Sequence, residues 1–120
     1  MLNGGKIRTG RILPAKPGEA ATLAHVPFGA LNIVLRKDAD GTVPLLNQAP
    51  GDLAWALAHE HGHVVDEEAA IASGQQRERW KSVRSQQHLP HGQRTHEQSA
   101  DRYACANSTG ELAFWHDKCR

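Results

Sequence analysis

Across residues 53–72 apolar side chains return at helical intervals. Leu53, Leu57, Val64 and Ile71 fall on one side of the run and polar residues occupy the others. Pro50-Gly51-Asp52 precedes it, with Asp52 as the expected N-cap, and Ser73-Gly74 supplies the stop. Residues 31–36 alternate with period two instead, so Leu31, Ile33 and Leu35 share one strand face. Fainter strand patterns cover 6–13 and 21–26, ended by Pro14 and Pro27. Asp40-Gly41 offers turn chemistry, after which Thr42-Val43 is expected to pair back as a hairpin. A second helix is expected over 95–106, opened by a capping box of Thr95 and Gln98 and stopped by the Asn-Ser-Thr-Gly run at 107–110. Residues 75–95 are polar and read as a solvated helix with one packing tryptophan, Trp80. Strands first and helices afterwards make an α+β chain, and 120 residues make one domain, spanning 1–120.

Composition narrows the function classes. A formal net charge of +1 marks neither a nucleic-acid binder nor a membrane-surface binder as a whole. No apolar run approaches the ~20 residues that a bilayer crossing needs, so no membrane partner is expected. The first ten residues are basic without an apolar segment behind them, which predicts a cytoplasmic chain. On that footing Cys105 and Cys119 are expected as reduced thiols, and neither sits in a C-x-x-C pattern. The last ten residues, 111–120, are too apolar for a free tail and are expected to pack back on the domain.

The helical run carries the chemistry. His59-Glu60-His61-Gly62-His63 reads H-E-x-x-H, and histidines four apart project from one helix face, where they can share a metal ion. Glu60 lies about 100° further round and so stands beside the ion, where a base for its water belongs. Gly62, costly in a helix interior, is expected to admit a close neighbour. Asp66-Glu67-Glu68 reads as a solvated acidic face, with Asp66 within reach of His63. Downstream, Glu97 and Asp101 form a carboxylate pair at i and i+4. Catalytic zinc takes three protein ligands, so His59 and His63 need one more. Glu97 is the first choice, with His91, His96 and Asp66 left open. Asp101 would then hold the far ring nitrogen of His59.

H-E-x-x-H followed by Glu97-Gln98-Ser99-Ala100-Asp101, an E-x-x-A-D pattern, resembles the gluzincin zinc metallopeptidases. Among small forms it is most similar to ImmA/IrrE-type and minimal gluzincin domains. The resemblance implies a minimal zincin-like domain, with a small N-terminal twisted sheet packed on the H-E-x-x-H helix and a second helix carrying the third ligand. It implies one zinc ion held by His59, His63 and Glu97, Glu60 as general base and acid, and Asp101 as orienter. The expected activity is hydrolysis of peptide bonds in a peptide or protein substrate. An extended substrate would add to an edge strand, here Leu31, Ile33 and Leu35. The oxyanion stabiliser is open between His91, His116 and Tyr103. Metzincins fit less well, because Ala69 stands where a third histidine would fall.

The rival expectation is a catalytically idle module stabilised by zinc, its ion closed by a fourth protein ligand such as His91 or His96. Arg77, Arg79, Lys81 and Arg84 around Trp80 add a lesser expectation of nucleic-acid or repressor association.

Overall fold

The computed structural model describes residues 6–12, 22–27 and 29–107. They form a small α+β fold with a three-stranded mixed sheet and three α-helices. The strands are β1 (Lys6–Gly10), β2 (Ala24–His25) and β3 (Asn32–Arg36), in the order β1-β3-β2. β1 runs parallel to β3, with Ile7 opposite Ile33, while β2 pairs antiparallel, with Ala24 opposite Leu35. The expected edge strand is therefore the middle of the sheet. That position explains its sequence: Ile33, Val34 and Leu35 are all buried, as in a strand covered on both faces. Leu31 precedes the strand and is 40% exposed, so it does not share the buried face.

The hairpin expected after Gly41 does not form. Asp38 N–H donates to the Thr42 carbonyl (2.8 Å) and Gly41 N–H to that of Asp38 (2.9 Å), closing a tight turn with Gly41 at φ +87°. Pro44 then starts a short 3-10 helix (Pro44–Asn47) that drops Leu45 into the core. Leu45 packs there with Ile33, Leu35 and Val64, flanked by Leu53, Ala56 and Leu57.

The central helix, α1, spans Pro50–Ala72 and begins three residues earlier than expected. Pro50 fits the first turn because its missing N–H would have had no intrahelical partner. Asp52 consequently sits inside the helix, where its charge faces the positive end of the macrodipole. At the far end Ser73 Oγ returns to the Ala69 carbonyl (2.9 Å), and Gly74 takes a left-handed turn at φ +73°. Ile71, in that last turn, is 47% exposed and outside the core, contrary to the apolar pattern.

Helix α2 (Gln76–Ser85) follows, then a 3-10 helix (His91–Gln93), then α3 (Thr95–Asn107). The expected capping box is replaced by a longer-range cap. Gln86 Oε1 accepts the Thr95 N–H (2.6 Å) and its Nε2 donates to Thr95 Oγ1 (2.8 Å), while Gln98 turns away to the Gly92 carbonyl. α3 lies hard against α1 at Gly62. A Cβ there would stand 3.0 Å from Tyr103 Cβ and 3.1 Å from Ala100 Cα, so the close neighbour that glycine admits is a helix backbone. Cys105, on α3, is disulfide-bonded, against the expectation of reduced thiols. Compartment reasoning from composition does not decide pairing, which depends on the local approach of two sulfurs. Cys119, His116 and the 111–120 segment lie outside the described residues. Among the described residues no helix is long and apolar enough to cross a membrane.

Candidate metal centre

Two helices build the cluster. From α1, His59 and His63 project one turn apart, with ring centroids 4.9 Å apart and edge to face. From the first turn of α3, Glu97 reaches between them. Its Oε1 lies 3.0 Å from His59 Nε2 and 2.9 Å from His63 Nε2. On the far side of the His59 ring, Nδ1 lies 2.8 Å from Asp101 Oδ1. Trp55 stacks on the His59 ring at 5.2 Å and 27°, which further limits its rotation. His59 and Glu97 are buried, so these contacts are made largely out of water.

The second oxygen of Glu97 faces two more imidazoles, His91 Nε2 at 3.2 Å and His96 Nε2 at 3.6 Å. Of the open third-ligand candidates, Glu97 alone joins both histidines of α1. The side chains close enough to share an ion group as His59, Glu60 and His63, and as His59, His91 and Glu97; His96 stands behind Glu97, and Asp66 belongs to neither grouping. Burial by itself would raise the Glu97 carboxyl. The hydrogen bonds from His59, His63 and His91 outweigh it and hold the group well below the usual carboxylate range. For His96 burial dominates and lowers the imidazole, so it stays neutral.

The donor set fits a small divalent cation. A tetrahedral ion with bonds of about 2.0–2.1 Å spaces its ligand atoms by about 3.3 Å. The nitrogen–oxygen separations of 3.0 and 2.9 Å need open only a few tenths of an ångström to reach that spacing. In the metal-free chain His59 Nε2 donates to Glu97. With an ion bound, a proton on Nδ1, which lies 2.8 Å from Asp101 Oδ1 without a well-aligned hydrogen bond, would leave the Nε2 lone pair for the metal.

Glu60 is partly buried beside this centre and lines a cleft of about 500 Å³. Desolvation, and then the charge of Glu97, push its carboxyl up to about 8, while a backbone hydrogen bond from Val26 opposes the shift. A carboxyl near neutrality can both take and give a proton at physiological pH.

One wall of the cleft comes from β2 and the residues after it, the other from α2 and the loop leading to α3. β2 is thus the strand at the site, and among the described residues nothing pairs with its outer side. Tyr103 does not line the cleft, and its hydroxyl lies 3.0 Å from His61 Nδ1. His91 remains in place, lining the cleft and half exposed.

The acidic run on α1 differs from its expected solvated face. Glu67 is 2% exposed and accepts from Gln76 Nε2 (2.7 Å), Arg79 Nη1 (3.0 Å) and Trp80 Nε1 (3.1 Å). This cluster pins α2 to α1, and Trp80 also lies over Gly29, whose Cβ position is 2.9 Å from the indole. One arginine of the basic run is therefore consumed inside the fold. The signal was present: Gln76, Arg79 and Trp80 share a helical face at i, i+3 and i+4.

Fold and cluster together define an α+β chain with a buried histidine–carboxylate centre at the base of a cleft. Comparisons with protein-family profiles, curated proteins and solved structures return no match to this chain.

Proposed function

We propose that the chain is a zinc-dependent peptidase of gluzincin type, with a zincin-like arrangement of sheet, active helix and ligand helix. The observation that carries this reading is that Glu97 Oε1 lies within 3.0 Å of both His59 Nε2 and His63 Nε2, with Asp101 behind His59. In this reading those three side chains are the ligands of one zinc ion. Bound there, zinc would acidify a water molecule and polarise the scissile carbonyl.

The chain's own residues supply the rest. Glu60, which lines the cleft next to His59, takes a proton from the attacking water and returns it to the leaving amine. Asp101 fixes the His59 ring and its tautomer. His91 stands at the mouth of the cluster and is the candidate donor to the oxyanion. The outer side of β2, at Ala24 and His25, accepts an extended peptide by main-chain hydrogen bonds, in place of the central strand β3.

The test combines metal analysis with turnover. One zinc per chain is expected, with hydrolysis of a mixed peptide pool that stops on chelation. Glu60→Gln should retain zinc and lose at least about 100-fold in turnover. Full activity in that variant removes Glu60 from the mechanism, and failure to bind zinc ends the reading.

A second reading has its own observation. His59, His91 and Glu97 form a metal-capable grouping beside that of His59, Glu60 and His63, so His91 can close the coordination as a fourth protein ligand. The chain would then be a zinc-stabilised binding module. X-ray absorption at the zinc edge separates the two, since a catalytic site keeps a water ligand and a structural site does not.

A further inference from the structure

The two walls of the cleft differ in charge. The β2 wall presents Thr22, Ala24, Val26 and Pro27, and its one titratable group is His25. Burial, and then the nearby Arg8, lower that imidazole and keep it neutral. The opposite wall carries Arg79, Arg84 and Arg94. Arg79 is committed to Glu67 at 3.0 Å. Arg94 is held differently. Its Nε donates to the Leu89 carbonyl (3.1 Å) and its Nη2 to the Gln87 carbonyl (3.1 Å). Carbonyls orient a guanidinium without neutralising it, and among the described residues no carboxylate pairs with this one. A guanidinium has five N–H donors, so most of its donors stay uncommitted.

The residue is also fixed at its backbone. The Arg94 carbonyl accepts the N–H groups of Glu97 (3.1 Å) and Gln98 (3.0 Å), which ties it to the helix start that carries Glu97. The carboxylates in the cleft are already engaged. Glu67 is held by Gln76, Arg79 and Trp80, Glu97 by imidazoles, and Glu60 by the Val26 backbone. A half-buried, pre-oriented cation in a cleft wall is a site for an anion brought by the ligand.

Resting on the peptidase reading, we propose that Arg94 binds a carboxylate of the peptide substrate and makes the cleft selective for acidic peptides. The carboxylate comes either from an Asp or Glu side chain or from the peptide C-terminus. The same two hydrogen bonds strap residues 87–94 together, but a strap alone would affect every peptide equally.

The test uses labelled random peptides of about eight residues in four pools. Glu or Gln occupies one central position, and each set ends in a free carboxylate or an amide. Binding is measured by fluorescence polarisation to the zinc-free chain and to zinc-loaded Glu60→Gln. Pools carrying the recognised carboxylate should bind about tenfold more tightly than the Gln amide pool. The arm that carries the gain identifies its source. Arg94→Gln should abolish the difference, and Arg94→Lys should keep part of it. Equal binding in all four pools, absence of binding, or a preference that survives Arg94→Gln overturns the proposal. If Arg94→Gln does not fold, equal binding of the four pools by the wild type still overturns the proposal, and a preference left unchanged by Arg94→Lys does so as well. Cleavage of the same pools by the zinc-loaded wild type separates the two readings. Acid-selective binding without cleavage removes the peptidase and leaves Arg94 its role. Cleavage without acid preference removes the role of Arg94 alone.

Discussion

Replacing Glu60 by Gln should make the zinc-free protein more stable at neutral pH, although it removes the proposed catalytic base. The folded chain holds this carboxyl at about 8, against an ordinary value of 4.5. A carboxyl raised in the folded state stabilises it fully below the unfolded pKa, and that stability is lost as pH rises through the folded pKa. The loss falls between pH 4.5 and 8 and runs at about 1.4 kcal/mol per unit. Its ceiling is about 5 kcal/mol, and water entry with local relaxation should leave roughly 2 kcal/mol or more. Glutamine carries no such dependence, and its carbonyl can still accept the bond that the Val26 backbone gives Glu60. Urea unfolding in chelator from pH 5 to 8.5, followed by circular dichroism, reads the difference between the two chains. Other titrating groups, including Glu97 and the histidines, are common to both and largely cancel. The curves should start together at pH 5 and diverge toward pH 8, with Glu60→Gln the more stable. Parallel curves would refute the argument that burial and Glu97 disfavour the Glu60 charge.

Two further predictions concern the frame. Glu67→Ala leaves Arg79, Gln76 and Trp80 without their acceptor and should cost about 2–4 kcal/mol in urea unfolding; a loss under about 0.5 kcal/mol would mean that α2 is not held through this carboxylate. Gly62→Ala gains up to about 1 kcal/mol of helix propensity but drives a methyl group to 3.0 Å from Tyr103 Cβ and 3.1 Å from Ala100 Cα. A net loss of about 1–3 kcal/mol and weaker zinc binding are expected, and a more stable variant would contradict the tight crossing.

The sequence made the helices and the cluster legible because both follow from fixed short-range spacing. Four-residue intervals put His59 with His63 and Glu97 with Asp101, and the apolar pattern found α1 to within three residues at its start. Strand order was not legible, since period-two alternation in 31–36 says nothing about what pairs on either side. The unbroken burial of Ile33, Val34 and Leu35 was the signal for a central strand, but a short apolar run has the same appearance in other settings. Glu67 escapes the local pattern for a related reason. Its burial depends on α2 folding back over it, and the donors at 76, 79 and 80 lie in a run that reads as surface. The cap on Thr95 came from Gln86, nine positions earlier, which a local capping template cannot anticipate.

The crossing of α1 and α3 and the geometry of the cluster are one physical fact. Gly62 meets Ala100 where the two helices come closest. His59 and His63 bracket the first of these residues, and Glu97 and Asp101 bracket the second. At this crossing the Glu97 carboxylate lies within 3.0 Å of two imidazoles on the other helix. The side chain missing at position 62 makes room for that contact, and the fully buried Ala100 supplies its small counterpart. A cation bound by residues from both helices would therefore act on the same crossing that closes the core, so metal binding and the packing of α3 on α1 should be thermodynamically linked. The helix penalty carried by Gly62 is then the cost of the close approach of α3 to α1.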